Sequence, residues 1–208
     1  MKTIFVLMLA LSFNLTFAQT VDEGKVMKLL DRLHTTERMM WNVPREDGRM
    51  LRILVAASGA KNILEIGTSN GVSTIWMGLG AAEHNGRITT LEIDHERAEM
   101  ARENFKKAGM DKMIRLIEGD ALQEIPKLSG PFDFVFIDAQ KSDYKKYFDL
   151  VFPKLARGGI IAAHNTYGMA SAVADFLQAV ENNPQLVTQT FRASETGMTV
   201  SYKKRLDK

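Results

Sequence analysis

Near-continuous apolar segments alternate with amphipathic segments along most of the chain, and this alternation restricts the fold more than any other feature. Such segments are typical of strands buried on both faces of a parallel sheet. We therefore predict an α/β fold with a doubly wound, mostly parallel, seven-stranded Rossmann-like sheet and helices on both faces. The predicted strands are 62–67, 87–93, 113–119, 132–138, 158–165, 186–192 and 198–204. The predicted helices are 26–38, 46–58, 72–79, 95–109, 144–155 and 169–183.

The first 18 residues differ from the rest of the chain. Lys2 is followed by an uncharged apolar run that ends at Ala18, which is the pattern of a secretory signal peptide. We predict a signal peptide at 1–18 and a single domain at 19–208, exported to the periplasm or outside the cell. The apolar run is short for a membrane span, so the mature chain should have none; an uncleaved anchor or an N-terminal helix is the alternative.

Composition excludes several classes of protein. The chain has no cysteine, which excludes both a disulfide framework and a lipoprotein anchor. Its 208 residues carry a net charge of +2, and the basic residues are scattered rather than gathered into a stripe. We therefore expect no nucleic-acid partner.

In a doubly wound sheet the ligand binds beyond the carboxyl ends of the strands, so the polar residues there are the candidate site. Gly67 and Gly71 follow the first strand and allow either a close approach to a ligand or simply a tight turn. Glu92, at the end of the second strand, is suited to bind ribose hydroxyls, whereas Asp94 is better suited to cap a helix. Asp120 follows the third strand and either caps a short helix or borders an adenine.

Polar residues also follow the fourth and fifth strands. Asp138, His164 and Asn165 should emerge at one edge, where a carboxylate, an imidazole and an amide oxygen could hold a divalent cation. Individually, each is also an ordinary loop residue. Lys141 could accept a proton if burial or the metal lowers its pKa; otherwise it is a solvated lysine.

Four sequence segments in order resemble the class I S-adenosylmethionine-dependent catechol and caffeoyl-coenzyme A O-methyltransferases. They are ILEIGTSNGVSTIWM, TTLEIDHERAEMARENF, FDFVFIDAQKSDYKKYFD and GGIIAAHNT, and the resemblance extends from about Met39 to the C-terminus. It implies an S-adenosylmethionine cofactor, a divalent metal ion, a small aromatic acceptor and a homodimer. Because the cofactor is made inside cells, the cytoplasm is the alternative location to export.

The resemblance also implies roles for particular residues. Glu92 would bind the ribose, Lys141 would be the catalytic base, and Asp138 and Asn165 would be metal ligands. The methionine part of the cofactor and its adenine would be lined by Asn42, Val43, Glu65, Gly67, Ser73, Asp120 and Ala121, with Asp138 and Gly71 nearby.

The chain departs from this family at three places. His164 stands where the family usually has aspartate before the asparagine, which disfavours Mg²⁺ and favours Zn²⁺ or another transition ion, or a weak or absent metal. Gln140 replaces a pocket aromatic residue, and the stretch after Asn165 is short for a coenzyme A ester. The candidate walls of the acceptor pocket are Met39, Met40, Trp41, Gln140, Lys141, Tyr167 and Met169, although core packing is an alternative for the methionines.

These observations predict a metal-dependent O-methyltransferase acting on a catechol-like hydroxyl. A nicotinamide-dependent oxidoreductase shares the fold class, but the G-x-G-x-x-G fingerprint is missing. A non-catalytic, exported S-adenosylmethionine-binding relative is the other alternative. A nucleic-acid methyltransferase is disfavoured, because Asp138-Ala139-Gln140-Lys141 stands where its usual Asn/Asp-Pro-Pro-Tyr segment would be.

Overall fold

The computed structural model describes residues 21–36 and 40–206 of the chain. The predicted signal peptide at 1–18 and the pocket candidate Met39 therefore lie outside the described residues. Within them, no helix combines the length and the apolar character needed to cross a bilayer.

The described residues form alternating strands and helices, as the sequence pattern predicts. The strands are β1 (Asn62–Ile66), β2 (Arg87–Glu92), β3 (Ile114–Glu118), β4 (Phe132–Ile137), β5 (Leu155–His164), β6 (Leu186–Phe191) and β7 (Met198–Lys203). The helices are α1 (Glu23–Thr36), α2 (Arg45–Ser58), α3 (Val72–Ala82), α4 (His95–Ala108), α5 (Ala121–Glu124), α6 (Tyr144–Val151) and α7 (Ala174–Glu181).

One seven-stranded sheet organises the chain, in the order β3-β2-β1-β4-β5-β7-β6. The first five strands in this order pair in parallel, whereas β7 pairs antiparallel with both β5 and β6. The prediction of a mostly parallel, doubly wound sheet is confirmed. The order places the ends of β1, β4 and β5 side by side at one edge.

Alternating side chains of the central strands build two cores, one on each face of the sheet. Phe134 of β4 packs in a core with Leu30 of α1 and Trp76 of α3, on one face of the sheet. Val135, the next residue, packs with Phe176 of α7 on the opposite face. Both faces of the sheet are covered, which explains why its strands read as continuous apolar runs.

Two predicted helices are shorter in the structure. The helix predicted at 144–155 ends at Val151, because Pro153 cannot donate a helical hydrogen bond and 152–154 form a 3₁₀ turn. The chain then enters β5 three residues before the predicted strand. Residues 170–173 of the helix predicted at 169–183 are likewise 3₁₀, and α7 covers only the later part.

The packing of β4 predicts that replacing two phenylalanines by alanine destabilises the protein to very different extents. Phe134 is fully buried, whereas Phe191 on β6 is 40% exposed. We expect Phe134→Ala to lower the free energy of unfolding by about 3–5 kcal/mol, because it leaves a cavity in the core. We expect the matched control Phe191→Ala to lower it by less than about 1 kcal/mol. Urea unfolding followed by circular dichroism measures both, and equal losses would contradict this packing.

Candidate active site

The turn after β1 has a backbone that few residues other than glycine adopt. Gly67, Ser69 and Gly71 all have positive φ angles, of 95°, 49° and 89°. A Cβ atom at Gly67 would lie 2.2 Å from the carbonyl oxygen of Asp138, and one at Gly71 would lie 2.5 Å from a ring carbon of Phe105. The missing side chains therefore make room for the protein itself, which favours the tight-turn alternative, and a close approach to a ligand stays a prediction.

Helix α3 begins directly after this turn, with Gly71 as its N-cap. No side chain of the described residues caps this N-terminus. Its first backbone N–H groups consequently remain available to polar or anionic groups of a ligand.

Glu65 of β1 is fully buried beneath the turn. It accepts hydrogen bonds from the hydroxyls of Ser73 (2.6 Å), Thr90 (2.6 Å) and Thr74. Burial raises the pKa of Glu65 to about 7, because the three hydroxyl donors only partly offset the loss of water around its charge. Glu65 and Ser73, both predicted to line the cofactor, thus bond to each other in this structure.

Glu92 ends β2 and holds the turn from its other side. Its Oε2 accepts from the backbone N–H groups of Thr68 (3.2 Å) and Ser69 (2.6 Å), and its Oε1 accepts from those of Ile93 and Asp94, both at 3.0 Å. Four donors match the acceptor capacity of one carboxylate. A bound ribose would therefore share the Glu92 oxygens with these backbone amides or displace some of them.

Two further acids at this edge, Asp94 and Asp120, cap helices. Asp94 accepts from the amide of Arg97 at 2.9 Å and is the N-cap of α4. Asp120 accepts from the amide of Leu122 at 2.9 Å and is the N-cap of α5, which begins at Ala121. The capping interpretation holds for both acids, and the adenine role of Asp120 and Ala121 stays a prediction.

The segment before α2 lies against the glycine turn. The carbonyl oxygen of Met40 accepts a 2.7 Å hydrogen bond from the hydroxyl of Ser69. Asn42 donates to the carbonyl oxygen of Leu33 at 3.4 Å, and Val43 is buried. Trp41 is 83% exposed beside them. The structure thus brings Met40 to the turn, and the cofactor contacts of Asn42 and Val43 stay predictions.

A second cluster forms where β4 and β5 end. Asp138 accepts from the ammonium of Lys141 at 2.8 Å through Oδ1, and its Oδ2 lies 3.0 Å from Nδ1 of His164. Lys141 also donates to the carbonyl oxygen of Ala139 (3.2 Å) and to the hydroxyl of Tyr144 (2.8 Å). That hydroxyl in turn donates to the backbone carbonyl of His164 at 3.1 Å. The predicted meeting of Asp138 and His164 is present, and Lys141 joins them.

The sequence analysis missed Asp47, which belongs to this cluster. Its Oδ2 lies 2.8 Å from Nε2 of His164, and it also accepts from the hydroxyls of Ser194 (2.6 Å) and Thr196 (3.0 Å). Asp47 is 1% exposed although it lies on helix α2. A signal was present, because Asp47 precedes Leu51 and Val55 by four and eight residues and so lies on the apolar face of that helix.

Asn165 does not join the cluster through its side chain. It follows β5 with a φ of 60°. Among residues 21–36 and 40–206, no hydrogen bond links its side chain to Asp138 or His164. Two of the three predicted metal ligands are therefore in contact, and the third is not tied to them.

Comparison with known proteins identifies the family. The O-methyltransferase family matches residues 18–196, which is most of the chain. The chain belongs to the O-methyltransferase family. The resemblance stated from the four sequence segments is thereby confirmed.

Family members with named activities match part of their length. A catechol O-methyltransferase from Niastella koreensis is 40% identical over 128 residues, which are 60% of this chain and 58% of that protein. A caffeoyl-CoA O-methyltransferase from Medicago sativa is 32% identical over 161 residues, which are 73% of this chain and 64% of that protein. The match therefore spans less than two thirds of the length of these relatives.

A solved family structure superposes over nearly the whole fold. The O-methyltransferase from Bacillus cereus in complex with SAH has a TM-score of 0.77 and 25% identity, covering 88% of this chain and 91% of that one. The superposition confirms the Rossmann-like O-methyltransferase fold.

The charges of the second cluster compensate one another. Burial opposes the charge of Asp138, but the attraction of His164 and Lys141 outweighs it and lowers the pKa of Asp138 to about 2. Burial likewise opposes an imidazolium at His164, but Asp138 and Asp47 outweigh it and raise the pKa of His164 to about 9. At neutral pH the ring is therefore a cation between two anions.

The side chains as arranged do not fit the predicted metal ion. Metal ions bind histidine through the lone pair of a neutral ring nitrogen. Both ring nitrogens of His164 instead face carboxylate oxygens. Within the part of the chain that the structure describes, no group of three or more histidine, aspartate or glutamate side chains is arranged to hold a metal ion.

The raised pKa of Glu65 predicts a specific pH dependence of stability. Between pH about 4.5 and about 7 the folded protein keeps the Glu65 proton that the unfolded chain releases. Raising the pH through this window therefore favours unfolding. We expect the difference in unfolding free energy, wild type minus Glu65→Gln, to fall across the window and to be flat above it.

The same comparison with Glu83→Gln is the control, because Glu83 is exposed. Its difference from the wild type should not vary across the window. Urea unfolding at a series of pH values measures all three proteins, and a flat difference for Glu65→Gln would contradict the buried, proton-retaining carboxyl.

Proposed function

We propose that this family member transfers a methyl group from S-adenosylmethionine to a hydroxyl of a small, catechol-like aromatic. The observation that carries the proposal is the contact between two halves of the site. The glycine turn with Glu92 forms one half, and the Asp138–Lys141–His164 cluster forms the other. They meet where Gly67 touches the backbone of Asp138. Family membership and the names of the relatives support the same reaction.

The residues of the first half fit an S-adenosylmethionine molecule. The nearly buried carboxylate of Glu92 is an acceptor for ribose hydroxyls, and the uncapped N-terminus of α3 suits the carboxylate of the methionine part. The bound cofactor would supply an electrophilic methyl group on a sulfonium. The SAH bound in the Bacillus cereus structure supports the use of this cofactor, since SAH is what remains after methyl transfer.

The second half suits a hydroxyl that must lose a proton. During transfer the acceptor oxygen bonds to the methyl carbon, the sulfur–carbon bond breaks, and the hydroxyl proton leaves. We assign the proton to the amine of Lys141, because the ammonium formed there is stabilised by Asp138 at 2.8 Å and by the Tyr144 hydroxyl. The observed arrangement corresponds to Lys141 after it has taken up a proton.

An acceptor ring would pack against exposed aromatic and apolar side chains near these halves. Trp41, Tyr167 and Met169 are 83%, 46% and 43% exposed, so their side chains are available to an acceptor. The guanidinium of Arg192 lies 3.7 Å above the ring of Tyr167 and adds a cation at this wall. Gln140 is exposed and bonds to Ser142. A flat aromatic acceptor matches such a wall.

The reaction is tested directly with purified protein, S-adenosylmethionine and 3,4-dihydroxybenzoate. We expect a monomethylated product and an equal amount of S-adenosylhomocysteine, both measured by mass spectrometry. Calorimetry with S-adenosylmethionine and with NAD separates the alternatives. Cofactor binding without product from a panel of catechols would favour a non-catalytic binder, and binding of NAD alone would favour an oxidoreductase.

The role of Lys141 predicts a defect in turnover. We expect Lys141→Ala to lower kcat by at least ~100-fold, the usual share of general base catalysis, with a smaller change in KM. Lys146→Ala is the matched control, because Lys146 forms an exposed ion pair with Asp143 on the same segment. The control should keep wild-type kcat, and an unchanged kcat in Lys141→Ala would remove Lys141 from the mechanism.

A further inference from the structure

The ring of His164 is held between two carboxylates from distant parts of the chain. Its Nδ1 lies 3.0 Å from Oδ2 of Asp138, and its Nε2 lies 2.8 Å from Oδ2 of Asp47. The side chains of His164 and Asp47 are 3% and 1% exposed, and that of Asp138 is 16% exposed. A carboxylate only accepts hydrogen bonds when ionised, so each ring nitrogen donates and the ring carries a positive charge.

The cluster is electrically complete without another ion. Asp47 and Asp138 contribute two negative charges, and His164 and Lys141 contribute two positive charges. A divalent cation added to this set would leave an uncompensated charge of +2, or of +1 while Lys141 is the amine that accepts the proton, in a largely buried site, which is unfavourable.

Three of the four carboxylate oxygen atoms that a cation would need are also engaged. Lys141 donates to Oδ1 of Asp138 while His164 contacts its Oδ2. Oδ2 of Asp47 accepts from His164, Ser194 and Thr196. Oδ1 of Asp47 is buried and has no hydrogen-bond partner among the described residues. A metal ion that bridged the two Oδ2 atoms would have to take the place of the ring of His164, which lies between them.

We propose that the His164 side chain is a built-in cation that takes the place of a divalent metal ion between Asp47 and Asp138, so that the site operates without one. His164 is then a positioning residue: it holds Asp138 against Lys141 and holds helix α2 against the end of β5. The inference rests on the proposed methyl transfer where it concerns the ion requirement of turnover. Its structural part, the absence of a metal site, is measured without turnover.

The first test uses the wild-type protein after treatment with a chelator. Titration with Mn²⁺, followed by electron paramagnetic resonance, should show no stoichiometric uptake, and added Mn²⁺ should not raise Tm. With S-adenosylmethionine and a catechol present, EDTA should leave turnover unchanged. Uptake of one Mn²⁺ per chain, a rise in Tm with Mn²⁺, or loss of turnover in EDTA would each overturn the proposal.

The second test replaces the built-in cation by a carboxylate. We expect His164→Asp to lose stability in EDTA, because three acidic side chains then meet in one buried site. We expect it to bind Mn²⁺ at least ~10-fold more tightly than the wild type, since oxygen donors suit this ion. Its Tm should rise with added Mn²⁺.

His95→Asp is the matched control for that variant. His95 is exposed and pairs with Glu118, so the same substitution there should change neither Mn²⁺ uptake nor the response of Tm to Mn²⁺. A folded His164→Asp that binds Mn²⁺ no better than the wild type would contradict a cation position at His164. If His164→Asp fails to fold, the wild-type uptake, Tm and EDTA measurements decide the proposal without it.

Discussion

The backbone of Gly67 passes so close to Asp138 that no side chain fits between them. A Cβ atom at residue 67 would lie 2.2 Å from the Asp138 carbonyl oxygen. The approach is fixed from both sides, because the amide of Gly67 donates to Leu91 at 3.0 Å and that of Asp138 donates to Ile66 at 2.9 Å. Since β1 and β4 are neighbours in the centre of the sheet, the turn that follows one and the acidic cluster that follows the other share a single edge. A methyl donor on the turn and an acceptor at the cluster would thus be adjacent without any domain movement.

Buried carboxylates near this edge are stabilised in two different ways. Glu65 receives only neutral hydroxyl donors, and burial raises its pKa to about 7. Asp138 receives two cationic donors, and their attraction lowers its pKa to about 2 despite burial. The pKa of Asp47 is also lowered, where burial is opposed by His164, Ser194 and Thr196. Neutral donors therefore leave a carboxyl able to keep a proton near neutral pH, whereas cationic partners keep the carboxylates of the second cluster ionised.

Sequence reasoning located the second cluster only in part, and the reason is geometric. Asp138 and His164 were predictable because parallel neighbouring strands end at the same edge of a sheet. Asp47 precedes the sheet on a helix, and no rule of strand order says where that helix docks. A buried carboxylate on an apolar helix face does require a polar partner, so its position could have predicted a buried contact but not which residue supplies it. The predicted metal ion lacks support for a related reason. The imidazole of His164, which was expected to bind a metal ion, instead contacts Asp47, which strand order alone could not place there.

The contact between Asp47 and His164 also links the two halves of the site through one helix. Helix α2 begins at Arg45, directly after the segment whose Met40 carbonyl accepts from Ser69 on the glycine turn. The same short stretch of chain is therefore fixed at one end to the proposed donor half and at the other, through Asp47, to the acceptor half. This requires the ring of His164 to contact Asp47, which lies 117 positions earlier in the sequence. An internal cation suits this purpose, because it is present as soon as the chain folds, whereas a bound metal ion would make the position of α2 depend on the ion supply.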